Sequence, residues 1–340
     1  MSSTLSSILA SALLVSGFAE AASLNSGRSS GPYFARDNDS TCAATSNWPG
    51  WSKVKYAFIF GDSYTQTGFE TTGTQPTPTN PLGNPTYPGY TSSNGPNWVD
   101  YLTVEYNASK ILTYNLAYGG ATMNSTLVAP YEPTVSSIAD QVVNEWLPTY
   151  ASKPSTAPWS SDNTLFAIFD GINDIGNSYY NGVAATTTLN AQIFANFHDL
   201  VNKLYNAGAR NFAFLNVPPV DRSPGTLVYN ADAQAMEKAD IAAWSTSLTN
   251  MTKTLKKEKP DANFFYVDAN ALFTEVLDKP SSFPQTALYK NTTGYCVDYE
   301  NCGIPVNEYF WLNTLHPTYP MHEVLAEGVA KVLKTGPNIC

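Results

Sequence analysis

The sequence is short of charge. Asp, Glu, Lys and Arg together make up 14% of its 340 residues, where ~25% is usual for soluble proteins. Basic residues are fewer than acidic ones: there are 18 Lys and Arg against 28 Asp and Glu, which gives a formal net charge of −10. This balance excludes a nucleic-acid partner, which requires a basic surface. Intrinsic disorder is excluded as well, because it combines high charge with low hydrophobicity and 43% of this chain is hydrophobic.

Long hydrophobic runs are also missing. The apolar run at residues 8–19 is well short of the ~20 residues that a helix needs to cross a bilayer, so no membrane anchor is expected. Ala19-Glu20-Ala21 fits a small-x-small cleavage site, although no Lys or Arg precedes the run. We therefore predict a signal peptide over residues 1–21, an N-terminal arm over 22–47, and a single domain over 48–340. The protein is expected to be secreted, extracellular and monomeric.

Cysteine and histidine are rare. The four cysteines are Cys42, Cys296, Cys302 and Cys340, and an even number in an exported chain favours disulfides, with three possible pairings. The favoured pairs are Cys296–Cys302, which closes a small local loop, and Cys42–Cys340, which ties the two ends of the chain together. With no Cys-x-x-Cys and only three histidines, a metal site is disfavoured. No metal or cofactor is predicted.

Neutral polar residues supply much of the polarity that charged residues provide in other soluble proteins. Five Asn-x-Ser/Thr sequons are present, and in an exported chain they predict a glycoprotein. Their asparagines are Asn38, Asn107, Asn124, Asn250 and Asn291.

Strand and helix patterns alternate along the chain. Short apolar runs predict buried strands over residues 55–60, 111–117, 165–169, 212–217 and 264–267. Helical spacing of apolar residues predicts helices over residues 98–106, 136–147, 188–207, 231–257 and 321–333. Residues 71–97 are dense in Pro, Gly, Asn and Thr and predict a long loop. The alternation is typical of an α/β protein, a three-layer α/β/α sandwich around a five-stranded parallel sheet.

Ligands of open parallel sheets bind at the carboxyl ends of the strands, so the residues that follow each strand are informative. Ser63 follows the first strand in Gly61-Asp62-Ser63-Tyr64, a turn that suits an exposed nucleophile. Gly119-Gly120 follows the second strand and could present N–H groups to a developing negative charge. Each motif alone is also compatible with an ordinary turn.

Two further polar positions complete the pattern. Asn173 follows the third strand, and its side-chain amide could donate to an oxyanion. His316 precedes the last predicted helix and is the natural general base. His198 falls on a long helix and is expected at the surface, while His322 is expected either behind the site or at the surface.

The order Ser63, Gly119, Asn173 and His316 resembles the GDSL esterases, also called SGNH hydrolases. The segments Trp48–Trp51, Phe60–Phe69 and Leu315–Thr318 are similar to fungal secreted acetylesterases of carbohydrate esterase family 16. The resemblance implies a flavodoxin-like fold and a secreted serine esterase without cofactor. It implies Ser63 as nucleophile, His316 as base, and an oxyanion hole of Ser63, Gly119 and Asn173, with Gly120 as a rival of Gly119.

The sequence departs from this family three residues before the histidine, where an acid is usual and Asn313 stands. Such an acid orients the imidazole and stabilises its protonated form. Three hypotheses follow. A Ser63–His316 dyad is oriented by Asn313 or by a backbone carbonyl; Asp298 or Glu300, within the Cys296–Cys302 loop, replaces the acid; or the chain is an inactive relative.

The substrate is expected to be a small or oligosaccharide acetyl ester. The acidic chain suits neutral substrates, and the resemblance implies acetyl groups on plant cell-wall carbohydrates. Aromatic residues at 87, 90, 98 and 101 either stack on sugar rings or pack the long loop against the domain. The alternatives are a lipase or lysophospholipase of the same superfamily and a non-catalytic secreted sugar-binding protein.

Overall fold

The computed structural model describes residues 41–299 and 301–340. The predicted signal peptide, most of the predicted arm, the Asn38 sequon and Glu300 lie outside the described residues. None of the helices in the described ranges is both long enough and apolar enough to cross a lipid bilayer.

A five-stranded sheet forms the centre of the molecule, and all of its strands are parallel. The strands are β1 (Tyr56–Gly61), β2 (Leu112–Asn115), β3 (Thr164–Phe169), β4 (Asn211–Leu215) and β5 (Asn263–Val267). Their spatial order is β2-β1-β3-β4-β5, which is the flavodoxin-like order. The predicted fold class is confirmed. In this order the chain reverses direction across the sheet between β1 and β3, and ligands of open α/β sheets bind outside such a point.

The sequence of each strand is a nearly continuous apolar run because helices cover both faces of the sheet. Every residue of β3 and β4 is buried. Phe58 of β1 and Phe166 of β3 are fully buried, with ring centroids 5.3 Å apart. This packing holds the carboxyl ends of β1 and β3 side by side.

Nine α-helices are present among the described residues. They are α1 (Trp98–Val104), α2 (Ile138–Asp140), α3 (Leu147–Tyr150), α4 (Ile172–Gly176), α5 (Val183–Asn206), α6 (Pro224–Leu227), α7 (Ala231–Glu258), α8 (Ala269–Asp278) and α9 (Tyr319–Thr335). Helix α1 packs against α9, and α5 packs against α7. The predicted helix over 136–147 is interrupted, because Gln141–Trp146 form a π-helix. Helix α5 begins at Val183, ahead of the predicted residue 188, and the short α4, α6 and α8 were not predicted.

Both favoured disulfides are confirmed. Cys42 and Cys340 are bonded with their Cα atoms 5.5 Å apart, and Cys296 and Cys302 are bonded with theirs 5.3 Å apart. Near the first disulfide, the Thr45 N–H donates to Asn263 Oδ1 over 2.9 Å. Since Asn263 begins β5, Thr45 lies at the amino end of that strand, while Asn338 accepts the Tyr266 N–H over 2.7 Å and lies farther along it.

Candidate active site

Ser63 lies just beyond the carboxyl end of β1, at the reversal of strand order. A buried side chain holds the strand end in place: Gln141 Oε1 accepts the Gly61 N–H over 3.0 Å, and Gln141 Nε2 donates to the Gly61 carbonyl over 2.9 Å. The Asp62 carbonyl then accepts the Thr65 N–H over 3.0 Å, which closes the turn. The turn presents Ser63 at the surface of a rigid strand end.

The segment after Ser63 is tied down by amide side chains. Asn97 and Asn115 both donate from Nδ2 to the Thr65 carbonyl, over 2.8 and 2.7 Å. Asn97 is also the N-cap of α1, where its Oδ1 accepts the Val99 N–H over 2.9 Å. One residue therefore begins a helix and fixes the loop that carries Ser63.

Ser63, His316 and Asn313 form a line of hydrogen bonds. Ser63 Oγ lies 2.7 Å from His316 Nε2, and His316 Nδ1 lies 3.1 Å from Asn313 Oδ1. Asn313 Oδ1 also accepts the backbone N–H groups of Leu315 and His316, over 3.0 and 2.9 Å. Because backbone N–H groups can only donate, the amide must present its oxygen to the ring. Nδ1 therefore carries the hydrogen, and Nε2 accepts from Ser63.

Asp298 is the described one of the two acids that were considered as partners of His316, and it makes its hydrogen bonds within its own loop. Asp298 accepts the Asn301 N–H over 2.9 Å within the Cys296–Cys302 loop. Among the described residues, no carboxylate is hydrogen-bonded to His316. Without such a charge beside it, burial lowers the pKa of His316 from 6.5 to about 4. The imidazole is therefore neutral, and able to accept a proton, down to acidic pH.

Tyr64 supports the histidine loop, and the sequence reasoning did not single it out. Its side chain is fully buried, and its hydroxyl donates to the Leu315 carbonyl over 2.6 Å. Its ring centroid lies 5.5 Å from that of His316 and 6.0 Å from that of His322. His322 is buried, so of its two expected positions it takes the one behind the site and not the one at the surface. Its pKa is lowered to about 3 by burial and by the nearby His316.

Gly119 and Asn173, which follow β2 and β3, lie beside the turn that carries Ser63. A Cβ added to Gly119 would lie 3.7 Å from Ser63 Cβ, so Gly119 adjoins Ser63. The Gly119 N–H donates to Gln66 Oε1, a side chain that sequence reasoning missed. Asn173 Nδ2 donates to the Ala121 carbonyl over 2.8 Å, and Asp62 Oδ2 lies 3.5 Å from the same nitrogen. One amide hydrogen of Asn173 is thus only weakly engaged.

Gly120 plays a different structural part from Gly119. Its φ of +85° is readily accessible only to glycine, and a Cβ there would overlap the ring of Tyr131. Gly120 therefore makes the turn and lets the Tyr131 ring approach, whereas Gly119 is the glycine beside Ser63.

Three buried carboxyl groups lie next to these segments. Burial raises the pKa of Asp62 and of Asp174 to about 7. Burial, reinforced by Asp174 and Asp62, raises the pKa of Asp170 well above its ordinary value. The Asp174 carboxylate accepts the Met123 N–H over 3.0 Å. Burial thus favours the protonated form of all three carboxyl groups.

The aromatic residues and the histidine that remain from the sequence candidates differ in how deeply they are buried. Trp98 and Tyr101 are buried on α1, which packs against α9, whereas Tyr87 and Tyr90 are exposed. His198 is half-buried on α5, with its Nε2 2.8 Å from Glu258 Oε2.

A parallel α/β sheet with a serine–histidine hydrogen bond beyond its switch point is an arrangement found in serine hydrolases. Residues 58–329 match the family model for the GDSL-like lipase/acylhydrolases. The chain belongs to this family and is a carboxylic ester hydrolase.

Individual relatives agree with the family. An acetylesterase of Thermothelomyces thermophilus is 39% identical over 83% of this chain and 89% of its own length. An acetylesterase of Hypocrea jecorina is 22% identical over 82% of this chain and 87% of its own length. Among solved structures, an acetyl xylan esterase from Geobacillus stearothermophilus aligns with a TM-score of 0.45 and 15% identity, over 83% of this chain and 96% of that one.

Proposed function

We propose that this protein is a secreted serine esterase that removes acetyl groups from neutral carbohydrates through an acyl-enzyme intermediate. The hydrogen bond of 2.7 Å between Ser63 Oγ and His316 Nε2 carries this proposal. Ser63 is the nucleophile and His316 the general base. The Ser63 and Gly119 backbone N–H groups and Asn173 Nδ2 form the oxyanion hole. Asn313 is a positioning residue that holds the ring of His316.

The first half of the reaction acylates the enzyme. Ser63 Oγ bonds to the ester carbonyl carbon as its proton passes to His316 Nε2, and the carbonyl oxygen becomes an oxyanion held by the three donors. The tetrahedral intermediate then breaks its bond to the alcohol oxygen, which takes the proton from Nε2. The sugar leaves with a free hydroxyl, and Ser63 carries the acetyl group.

The second half repeats these steps with water. Water loses a proton to His316 Nε2 and bonds to the acetyl carbonyl carbon. The new intermediate breaks its bond to Ser63 Oγ, which recovers the proton from Nε2, and acetic acid leaves and ionises to acetate in solution.

Gln66 and Asn313 shape the energetics of this cycle. Gln66 Oε1 accepts the Gly119 N–H in the free enzyme, so the substrate oxygen must replace it. An amide at residue 313 can accept the Nδ1 hydrogen but supplies no charge to the imidazolium that forms. An Asp-to-Asn change in a serine protease costs about 10⁴ in turnover because the histidine takes the wrong tautomer. Here the two backbone donors to Asn313 Oδ1 enforce the correct tautomer, so that cause does not apply.

Three observations support the substrate and the location. The family relatives named above include two fungal acetylesterases. The net charge of −10 suits neutral rather than anionic substrates. Two disulfides among the described residues are typical of exported proteins.

The decisive test compares wild type with Ser63→Ala on acetylated xylo-oligosaccharide. We expect acetate release by wild type and a loss of at least about 10³-fold in kcat for the variant. A fluorophosphonate should label wild type and leave Ser63→Ala unlabelled. Retention of either activity or labelling in the variant would reject Ser63 as nucleophile.

Chain-length profiling separates this proposal from a lipase or lysophospholipase. With p-nitrophenyl esters, kcat/KM should be highest for acetate and fall as the acyl chain lengthens. A preference for eight carbons or more would overturn the acetylesterase assignment while keeping the serine mechanism.

A further inference from the structure

A cleft with a volume of about 340 Å³ lies beside the candidate active site. This volume is within the range of about 300–1,000 Å³ for small-molecule sites. One wall is formed by residues 127–131, which follow Gly119 and Gly120, and the other by residues 177, 178, 180 and 181, which follow Asn173. Both walls are therefore continuations of the two segments that supply oxyanion donors beside Ser63.

Direct contacts tie this cleft to the active-site turn. The Tyr131 ring packs against Gly120, where a Cβ would overlap it. Asn177 Nδ2 donates to the Ala129 carbonyl over 3.2 Å, which bridges the two walls. A group bound in the cleft would thus lie next to a substrate carbonyl held at Gly119.

The lining combines two exposed aromatic rings and two neutral amides with aliphatic residues, namely Leu127, Val128, Ala129, Pro130 and Leu189. Tyr131 is 72% exposed and Tyr180 is 62% exposed, so both rings present apolar surface to solvent. Asn177 and Asn181 supply donors and acceptors, and the described lining contains no Asp, Glu, Lys, Arg or His. A pyranose has apolar C–H faces and a rim of neutral hydroxyls, and both find partners in this cleft. An acyl chain could contact the rings and the aliphatic residues, but it would offer no hydrogen bond to the Asn181 amide.

We infer that this cleft is a sugar-binding subsite in which Tyr131 and Tyr180 contact a ring of a neutral oligosaccharide whose acetylated neighbour lies at Ser63. The inference rests on the proposed function, since it assigns a substrate class to that same site. Tyr131 and Tyr180 determine specificity and take no part in the bond-making steps.

The experiment measures kcat/KM for acetylated xylotetraose and for p-nitrophenyl acetate, and reports their ratio. In Tyr131→Ala this ratio should fall at least fivefold, chiefly through a higher KM for the oligosaccharide. Tyr131→Phe keeps the aromatic face and should keep the ratio. Tyr90→Ala tests the rival site, because Tyr90 is also 72% exposed and was a candidate for sugar stacking, but it packs on Gly68 and lies outside this cleft. If the subsite is the cleft at Tyr131, the ratio in Tyr90→Ala should stay unchanged.

The outcomes separate this inference from the proposed function. If wild type hydrolyses both substrates and Tyr131→Ala keeps the wild-type ratio, the subsite is wrong and the proposed function stands. The same holds if only Tyr90→Ala lowers the ratio. If wild type cleaves p-nitrophenyl acetate but not the acetylated oligosaccharide, the proposed substrate is wrong. Saturation-transfer NMR with unacetylated xylotetraose then decides the subsite: contacts that Tyr131→Ala abolishes support it, and their absence in wild type overturns it.

Discussion

Replacing Asn313 with Asp should raise the pH at which the enzyme begins to work. In the wild type, burial holds the pKa of His316 at about 4. A carboxylate oxygen 3.1 Å from Nδ1 would attract the imidazolium by about 5 kcal/mol at an effective dielectric constant of about 20. Part of that energy is offset by desolvating the new carboxylate. The net rise in the pKa of His316 should be the ~1–3 units usual for a close opposite charge.

The local structure should accept Asn313→Asp. Asn313 Oδ1 already receives three donors, a number that a carboxylate accommodates. Its Nδ2 makes no hydrogen bond within the described residues, so the substitution removes none.

The assay is the pH dependence of kcat/KM for p-nitrophenyl acetate, followed at a wavelength at which p-nitrophenol and its anion absorb equally. This quantity reports the pKa of the base in the free enzyme. The base must be neutral to work, so activity falls as the pH drops through that pKa. We expect the wild-type acidic limb near pH 4 and the limb of Asn313→Asp near pH 5–7, about 1–3 units higher. A wild-type limb near pH 6.5, or identical limbs in the two enzymes, would refute this reasoning.

Three further predictions concern other parts of the molecule. Tyr64→Phe removes the donor to the Leu315 carbonyl, so kcat should fall about tenfold with little change in KM, whereas a wild-type kcat would show that the loop needs no such support. The buried aspartates have a pKa that is higher in the folded than in the unfolded chain, so their contribution to stability is complete in acid and is lost as the pH rises through about 7. By differential scanning fluorimetry the Tm should be several degrees higher at pH 5 than at pH 8, and Asp170→Asn should reduce that difference. An equal or lower Tm at pH 5 would contradict the assignment. Cys42→Ser opens a disulfide between positions 298 residues apart and should lower stability by about 2–5 kcal/mol in urea unfolding, an effect that an unchanged midpoint would disprove.

Much of the fold and of the candidate site could be predicted because their signals are local. Strands buried on both faces show as short apolar runs, and a parallel sheet places the residues that follow those runs at one edge. Ser63 and Asn173 could therefore be nominated without coordinates, and His316 could be nominated because the chain has only three histidines and this one precedes the last predicted helix. The short helix α8 escaped notice because ten residues allow few repeats of the helical pattern.

The residues that were missed act across the tertiary structure. Tyr64 meets Leu315 at a separation of 251 positions, and Gln141 meets Gly61 at 80. Nothing near these residues in the sequence reveals such partners. Asn313 shows a different limit, because its partners are two and three positions away but its identity suggested only a missing acid. The three donors around its oxygen show how an amide can hold the ring.

The Cys42–Cys340 junction bears on how this domain could be rebuilt. Its Cα atoms are 5.5 Å apart, and the segments next to it lie along the edge strand β5, whereas Ser63 follows the carboxyl end of β1. With the residues before Cys42 removed, a short glycine linker could join the two ends. New termini could then open at the exposed turn of Val228 and Tyr229, between α6 and α7. The domain is thus a natural candidate for circular permutation, and modules fused at Cys42 and Cys340 of the shortened chain would lie close to each other.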